Sequence, residues 1–107
     1  MARVVVDAGV CGFRTTIRTS SDDGQTVTVR VESDCPNLAR LVEVPLEVDA
    51  YSECLVGFGE SPLFTMLQNH CKHPGCPVYS GIIKGIEVSA GLALPKDASI
   101  TVSPEDD

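Results

Sequence analysis

Residues 12–32 read GFRTTIRTSSDDGQTVTVRVE, and the period of this stretch decides the fold. Phe13, Thr15 and Ile17 alternate with Arg14, Thr16 and Arg18. Further on, Val27, Val29 and Val31 alternate with Thr26, Thr28, Arg30 and Glu32. A period of two puts each set on its own face of a strand, so both runs predict half-buried strands. SSDDG between them supplies turn residues, with Gly24 free to take a positive φ. The two runs therefore predict an antiparallel hairpin with one wet face.

Upstream, the β-branched run RVVVD (3–7) predicts another strand. Downstream the period changes. In SDCPNLARLV (33–42), Leu38, Leu41 and Val42 fall at helical spacing, Pro36 suits the first helical position, and Asp34 or Cys35 is the expected cap. In the following segment (43–60) Pro45 interrupts the pattern, Asp49 is placed to cap a short helix, and Gly57 and Gly59 end it. Ser61 and Pro62 repeat the start signal ahead of Leu63, Phe64, Met66 and Leu67. A third Xaa-Pro start, Cys76-Pro77, opens a helix expected to run to about Ala90, with Gly91 as terminator.

The buried stripe of that last helix is Val78, Ile82, Ile83 and Ile86. Gly81 and Gly85, one turn apart, each cost about 1 kcal/mol of helix propensity relative to Ala. Close packing of the helix on the sheet is the expected reason for them. A final strand is expected from Ala98 to Val102, followed by the acidic tail 103–107. Strands first and helices after predict an α+β fold. Its sheet has three or four antiparallel strands, with helices packed on one face, in a single domain spanning 1–107.

The chain has 107 residues, 43% of them apolar, which fits one soluble globular domain. No run approaches the roughly 18 apolar residues of a membrane span, and the N-terminal apolar run is too short for a signal peptide. A cytoplasmic protein is expected. With a net charge of −7 and only eight scattered Lys and Arg, the chain lacks the clustered positive charge that nucleic-acid binding requires. The expected partners are other proteins, with no nucleic acid and no membrane.

Five cysteines, Cys11, Cys35, Cys54, Cys71 and Cys76, form an odd set for a reducing compartment, which argues against a disulfide framework. Metal binding, thiol chemistry and burial remain. Cys35 and Cys76 each precede a proline that starts a helix, where free N–H groups and the macrodipole favour an anion, so both are expected to ionise readily. Cys11 sits in a Gly-bearing turn, GVCGF. HCKHPGC (70–76) gathers Cys71 and Cys76 with His70 and His73, a donor set suited to zinc or an iron–sulfur cluster. Asp7, Asp34 and Glu87 are expected as capping or solvated groups, and Cys54 as part of a buried helical turn. No catalytic pattern points to an enzyme.

The order CGFRTTIRT, VTVRVESDCP and HCKHPGCPVYSGIIKGIEV resembles iron–sulfur assembly scaffolds of the NifU/IscU type. The resemblance matches Cys11, Cys35 and either Cys71 or Cys76 to the scaffold cysteines, and implies a role in cluster assembly. Phe13 stands where those scaffolds carry an acidic residue, which favours metal binding over cluster donation. CPVYSGIIKGIEVSAGLALPKD (76–97) looks like a small uncharacterised cysteine-rich bacterial and archaeal family. The Asp34–Leu38 run resembles domains with a Cys-Pro-x-Asn-Leu element. CPVY is similar to the Cys-Pro-x-Pro start of SirA/TusA-type sulfur carriers, with Tyr79 in place of the second proline.

The expected function is binding of zinc or an iron–sulfur cluster by Cys11, Cys35, Cys76 and, as the fourth ligand, Cys71, with His70 or His73 as substitute ligand or support. The first three sulfurs should then converge, about 2.3 Å from a shared zinc. The rival readings are a sulfur carrier using Cys76 or Cys35, and an interaction module whose cysteines are packing residues.

Overall fold

A computed structural model describes residues 1–105; the last two residues of the acidic tail lie outside the described residues. The fold is α+β, as the periodicity predicts. Strands β1 (Ala2–Asp7), β2 (Arg14–Ser20) and β3 (Thr26–Ser33) form an antiparallel meander. A fourth strand, β4 (Leu46–Asp49), pairs with β3, giving the order β1-β2-β3-β4. The register sets Val4 opposite Ile17 and Ile17 opposite Val31, so one face gathers Val6, Thr15, Ile17, Thr19, Val27, Val29 and Val31, all buried. The other face carries Arg14, Arg18 and Glu32 toward solvent, where Arg18 pairs with Glu32 across the strands.

β4 was not expected from the sequence. It spans four residues directly after Pro45, and so short an edge strand shows no readable alternation. The expected strand over Ala98–Val102 is absent: residues 93–105 form neither helix nor strand. β-propensity alone does not make a strand; the ladder needs a partner.

The helices lie on the buried face. A 3-10 turn (Pro36–Leu38) leads into α1 (Ala39–Glu43), which packs Leu38 and Leu41 against β3. Cys35 is the cap residue of that turn, and Pro36 takes its first position. α2 (Ala50–Cys54) is capped by Asp49, which accepts from the N–H groups of Tyr51 and Ser52. α3 (Pro62–Gln68) is capped by Ser61, which accepts from Phe64 N–H, with Pro62 at the start as expected. Among the described residues no helix is long and apolar enough to cross a membrane.

The long helix α4 (Val78–Ser89) crosses β1 and β2, and Val78, Ile82 and Ile86 enter the core. Pro77 serves as its cap residue. Gly91, at φ 76°, closes it. Leu92 N–H donates to Glu87 O at 2.8 Å and Gly91 N–H to Val88 O at 3.1 Å, the paired bonds of a Schellman stop.

Gly81 and Gly85 face the sheet. A Cβ on Gly81 would lie 2.5 Å from Val6 Cγ2, and one on Gly85 would lie 3.0 Å from Thr19 Cγ2. Thr19 also donates its hydroxyl to Gly85 O at 2.8 Å, a bond available only because the helix comes this close. The glycines therefore serve packing, as expected.

Gly81→Ala is expected to destabilise the protein despite its better helix propensity. Overpacking against a buried Val methyl costs about 1–3 kcal/mol, and propensity returns about 1 kcal/mol. A melting temperature lower by several degrees, and lower than that of Gly85→Ala, is the expected result by circular dichroism. A melting temperature at or above wild type would contradict this close approach.

Candidate functional site

Four of the five cysteines collect at one end of the sheet. Asp7 faces Arg14 and Thr15 faces Ser33 there, so the loop 8–13 with Cys11 and the exit of β3 with Cys35 lie at the same end. α4 runs antiparallel to β1, because Gly81 meets Val6 while Gly85 meets Val4. Its N-terminus, and with it Cys76, therefore points to this same end.

Each cysteine is held by a different local device. Cys11 is exposed in a loop bent by Gly9 (φ 87°) and Gly12 (φ 75°), where Gly12 N–H donates to Gly9 O at 2.9 Å. Cys35 is half-buried. Its N–H donates to Ser33 Oγ at 3.1 Å, and that hydroxyl accepts from Thr15 Oγ1 at 2.8 Å. Cys71 follows α3 and donates its N–H to Leu67 O at 2.8 Å.

Between Cys71 and Cys76 the chain bends around one carbonyl. The Cys71 thiol lies 3.8 Å from His73 O as a donor, and Cys76 N–H donates to the same oxygen at 3.1 Å. Pro74 and Gly75 form the corner of this turn. His73 is exposed, with its Nε2 over Gly75, and His70 is half-buried.

The starts of the two helices that flank this loop are joined by residues without a ligand signature. Tyr79, in the first turn of α4, shares a hydrogen bond with Ser61 at 2.8 Å. Its ring packs edge-on against Phe64 with centroids 5.2 Å apart. These contacts tie the start of α3 to the start of α4. The sequence reveals Ser61 as a cap but gives no sign of its second partner.

Cys76 departs from expectation in its ionisation. Burial pushes its thiol above the ordinary value, the Val78 N–H opposes that rise, and the neighbouring Cys71 and Cys35 sulfurs add to it. The helix start does favour the anion, but desolvation outweighs it. The same neighbours place Cys35, Cys71 and Cys76 in one electrostatic cluster. Cys54 stands apart on α2. Burial, then Glu87 and Glu53, push its thiol up to about 11. Glu87 lies nine residues beyond Val78, about 13 Å along the helix from the cysteine cluster.

Of the expected acidic groups, Asp7 pairs with Arg14 at 3.6 Å, Asp34 is exposed, and Glu87 neighbours Cys54. Among the described residues no three His, Cys, Asp or Glu side chains stand in a metal-holding arrangement. The thiols are neighbours without forming a closed coordination shell.

The chain belongs to a family of unknown function (DUF6951), whose model matches residues 2–102. No curated protein and no solved structure matches it.

Alkylation at mildly alkaline pH is expected to order the thiols. Cys11, being exposed, should react first and Cys54 last. Because the Cys54 thiol is raised to about 11, its thiolate is scarce below that pH and its rate should climb as pH rises toward it. Peptide mass spectrometry after timed iodoacetamide treatment reads all five sites; early labelling of Cys54 would contradict its burial.

Proposed function

We propose that the cysteine end of the sheet is a thiolate metal site that takes zinc or an iron–sulfur cluster. The observation that carries this reading is the neighbourhood of Cys35, Cys71 and Cys76, brought from two separate segments, the exit of β3 and the turn before α4. Soft thiolates suit either centre. Three half-buried thiols beside one another, with Cys76 held protonated by burial, gain most from a cation, because its charge compensates all of them at once.

Cys35, Cys71 and Cys76 are the ligands in this reading. Cys11 is the fourth, reaching the cluster through a loop whose glycines let it bend; His70 or His73 is the substitute or support. Closing the shell requires rotation of side chains and movement of the loop over residues 8–13, and the short 70–77 turn keeps Cys71 and Cys76 together meanwhile. The order of these cysteines along the chain agrees with the NifU/IscU resemblance, which extends the reading to cluster assembly with protein partners in the cytoplasm. A sulfur carrier needs one accessible thiol that ionises readily, and the raised, half-buried Cys76 speaks against it.

Anaerobically purified or reconstituted protein should carry metal, read by elemental analysis and the ultraviolet–visible spectrum. Cys35→Ser, Cys71→Ser and Cys76→Ser should each remove most of it, Cys11→Ser should reduce it, and Cys54→Ser should leave it intact. Loading should strengthen as pH rises, because each ligand must lose a proton. Wild-type protein that takes neither zinc nor a cluster, or metal content untouched by all five substitutions, overturns the reading.

A further inference from the structure

The C-terminal segment exposes apolar residues that a solvated tail has no need of. Residues 91–105 are exposed and form neither helix nor strand, and the molecule is drawn out to 50 × 28 × 24 Å. Yet Leu94, Ile100 and Val102 present 87%, 81% and 88% of their surface to solvent. Ser99, Ile100, Thr101 and Val102 alternate polar and β-branched apolar residues, the pattern of a half-buried strand. The family match runs through Val102, so this segment is part of the unit the family shares.

The fold also offers a strand without a second neighbour. Among the described residues β4 pairs only with β3, leaving its outer backbone groups free. Beside it runs an open groove of about 360 Å³ between β4 and the helices α2 and α3. Leu46, Val48, Leu63 and Met66 give the groove its apolar lining, with Glu47 and Asp49 among its acidic residues. An edge strand next to such a groove is suited to strand addition: the backbone pairs with the edge and alternate side chains enter the groove.

We propose that Ala98–Val102 of one copy of this chain adds as a fifth strand to β4 of a second copy, reciprocally. Ile100 and Val102, two residues apart, enter the groove together. Lys96, the sole cation of residues 91–105, precedes this segment, and the edge it approaches carries the exposed carboxylate of Glu47. The five-residue segment matches the length of β4, four residues or about 13 Å. Residues 91–97 can span up to about 24 Å, enough to cross between copies. Pro95 disfavours helical backbone at Leu94 and stiffens the arm, which suits exchange between copies. The proposal uses none of the cysteines and stands apart from the metal reading.

Sedimentation of the full chain over a concentration series, with hydrogen exchange read by mass spectrometry, tests it. Wild type should have the mass of two chains, and the double variant Ile100→Asp/Val102→Asp should dissociate at least about tenfold more readily. Both positions are exposed in the single chain, so the variant keeps its fold, checked by circular dichroism. Amides of β4 should be protected in wild type and lose that protection in the variant. A monomeric wild type overturns the proposal, including one whose arm folds back on its own β4. So does a dimer unaffected by the variant, or protection that changes at β1 instead of β4.

Discussion

The close approach of α4 to β1 and β2 is the constraint on which the rest of the structure depends. Two glycines one turn apart remove the side chains that would hold the helix off the sheet, and Val6, Val4 and Thr19 occupy that space. The exchange costs helix propensity at both positions, about 1 kcal/mol each, and is offset by burial of Val78, Ile82 and Ile86 on the sheet. The Schellman stop at Gly91 and the Thr19 hydroxyl bond to Gly85 O then fix the helix along its own axis.

That placement has a chemical consequence at the other end of the helix. With α4 running antiparallel to β1, its first turn lies beside the exits of β1 and β3, where Cys11 and Cys35 leave the sheet. Tyr79 and Ser61 anchor the start of α3 to the same turn, and the loop over residues 69–77 between the two helices folds around the His73 carbonyl. Cys35, Cys71 and Cys76 end up half-buried, while Cys11 stays exposed. Desolvation then opposes the ionisation of Cys76 more than the helix end assists it, which makes it a poor isolated nucleophile and a better member of a group that a cation can compensate.

The sheet ends at β4. β4 is short and edges a groove, while a strand-like segment of the same chain lies exposed. Backbone groups at a free edge and apolar side chains on a free arm are each tolerated in water singly, but they are complementary to one another. The acidic balance of the chain, −7 overall, keeps unspecific association of such surfaces low.

The sequence by itself determined the α+β class, the β2–β3 hairpin, the caps at Asp49 and Ser61, the extent of α4 and its stop at Gly91. These rest on period, on turn chemistry and on side chains that bond their own backbone within a few residues, so local order suffices to read them. It also singled out Cys11, Cys35, Cys71 and Cys76. Only the tertiary structure decided that Cys35, Cys71 and Cys76 are neighbours while Cys54 is remote, because their proximity depends on how α4 lies across β1 and β2. It also reversed the expected ionisation of Cys76, since burial is a property of the packed molecule and outweighs the local helix end. β4 and the unformed strand at Ala98–Val102 follow the same logic: a strand exists only where another chain segment supplies its hydrogen-bond partners, and no run of residues carries that information alone.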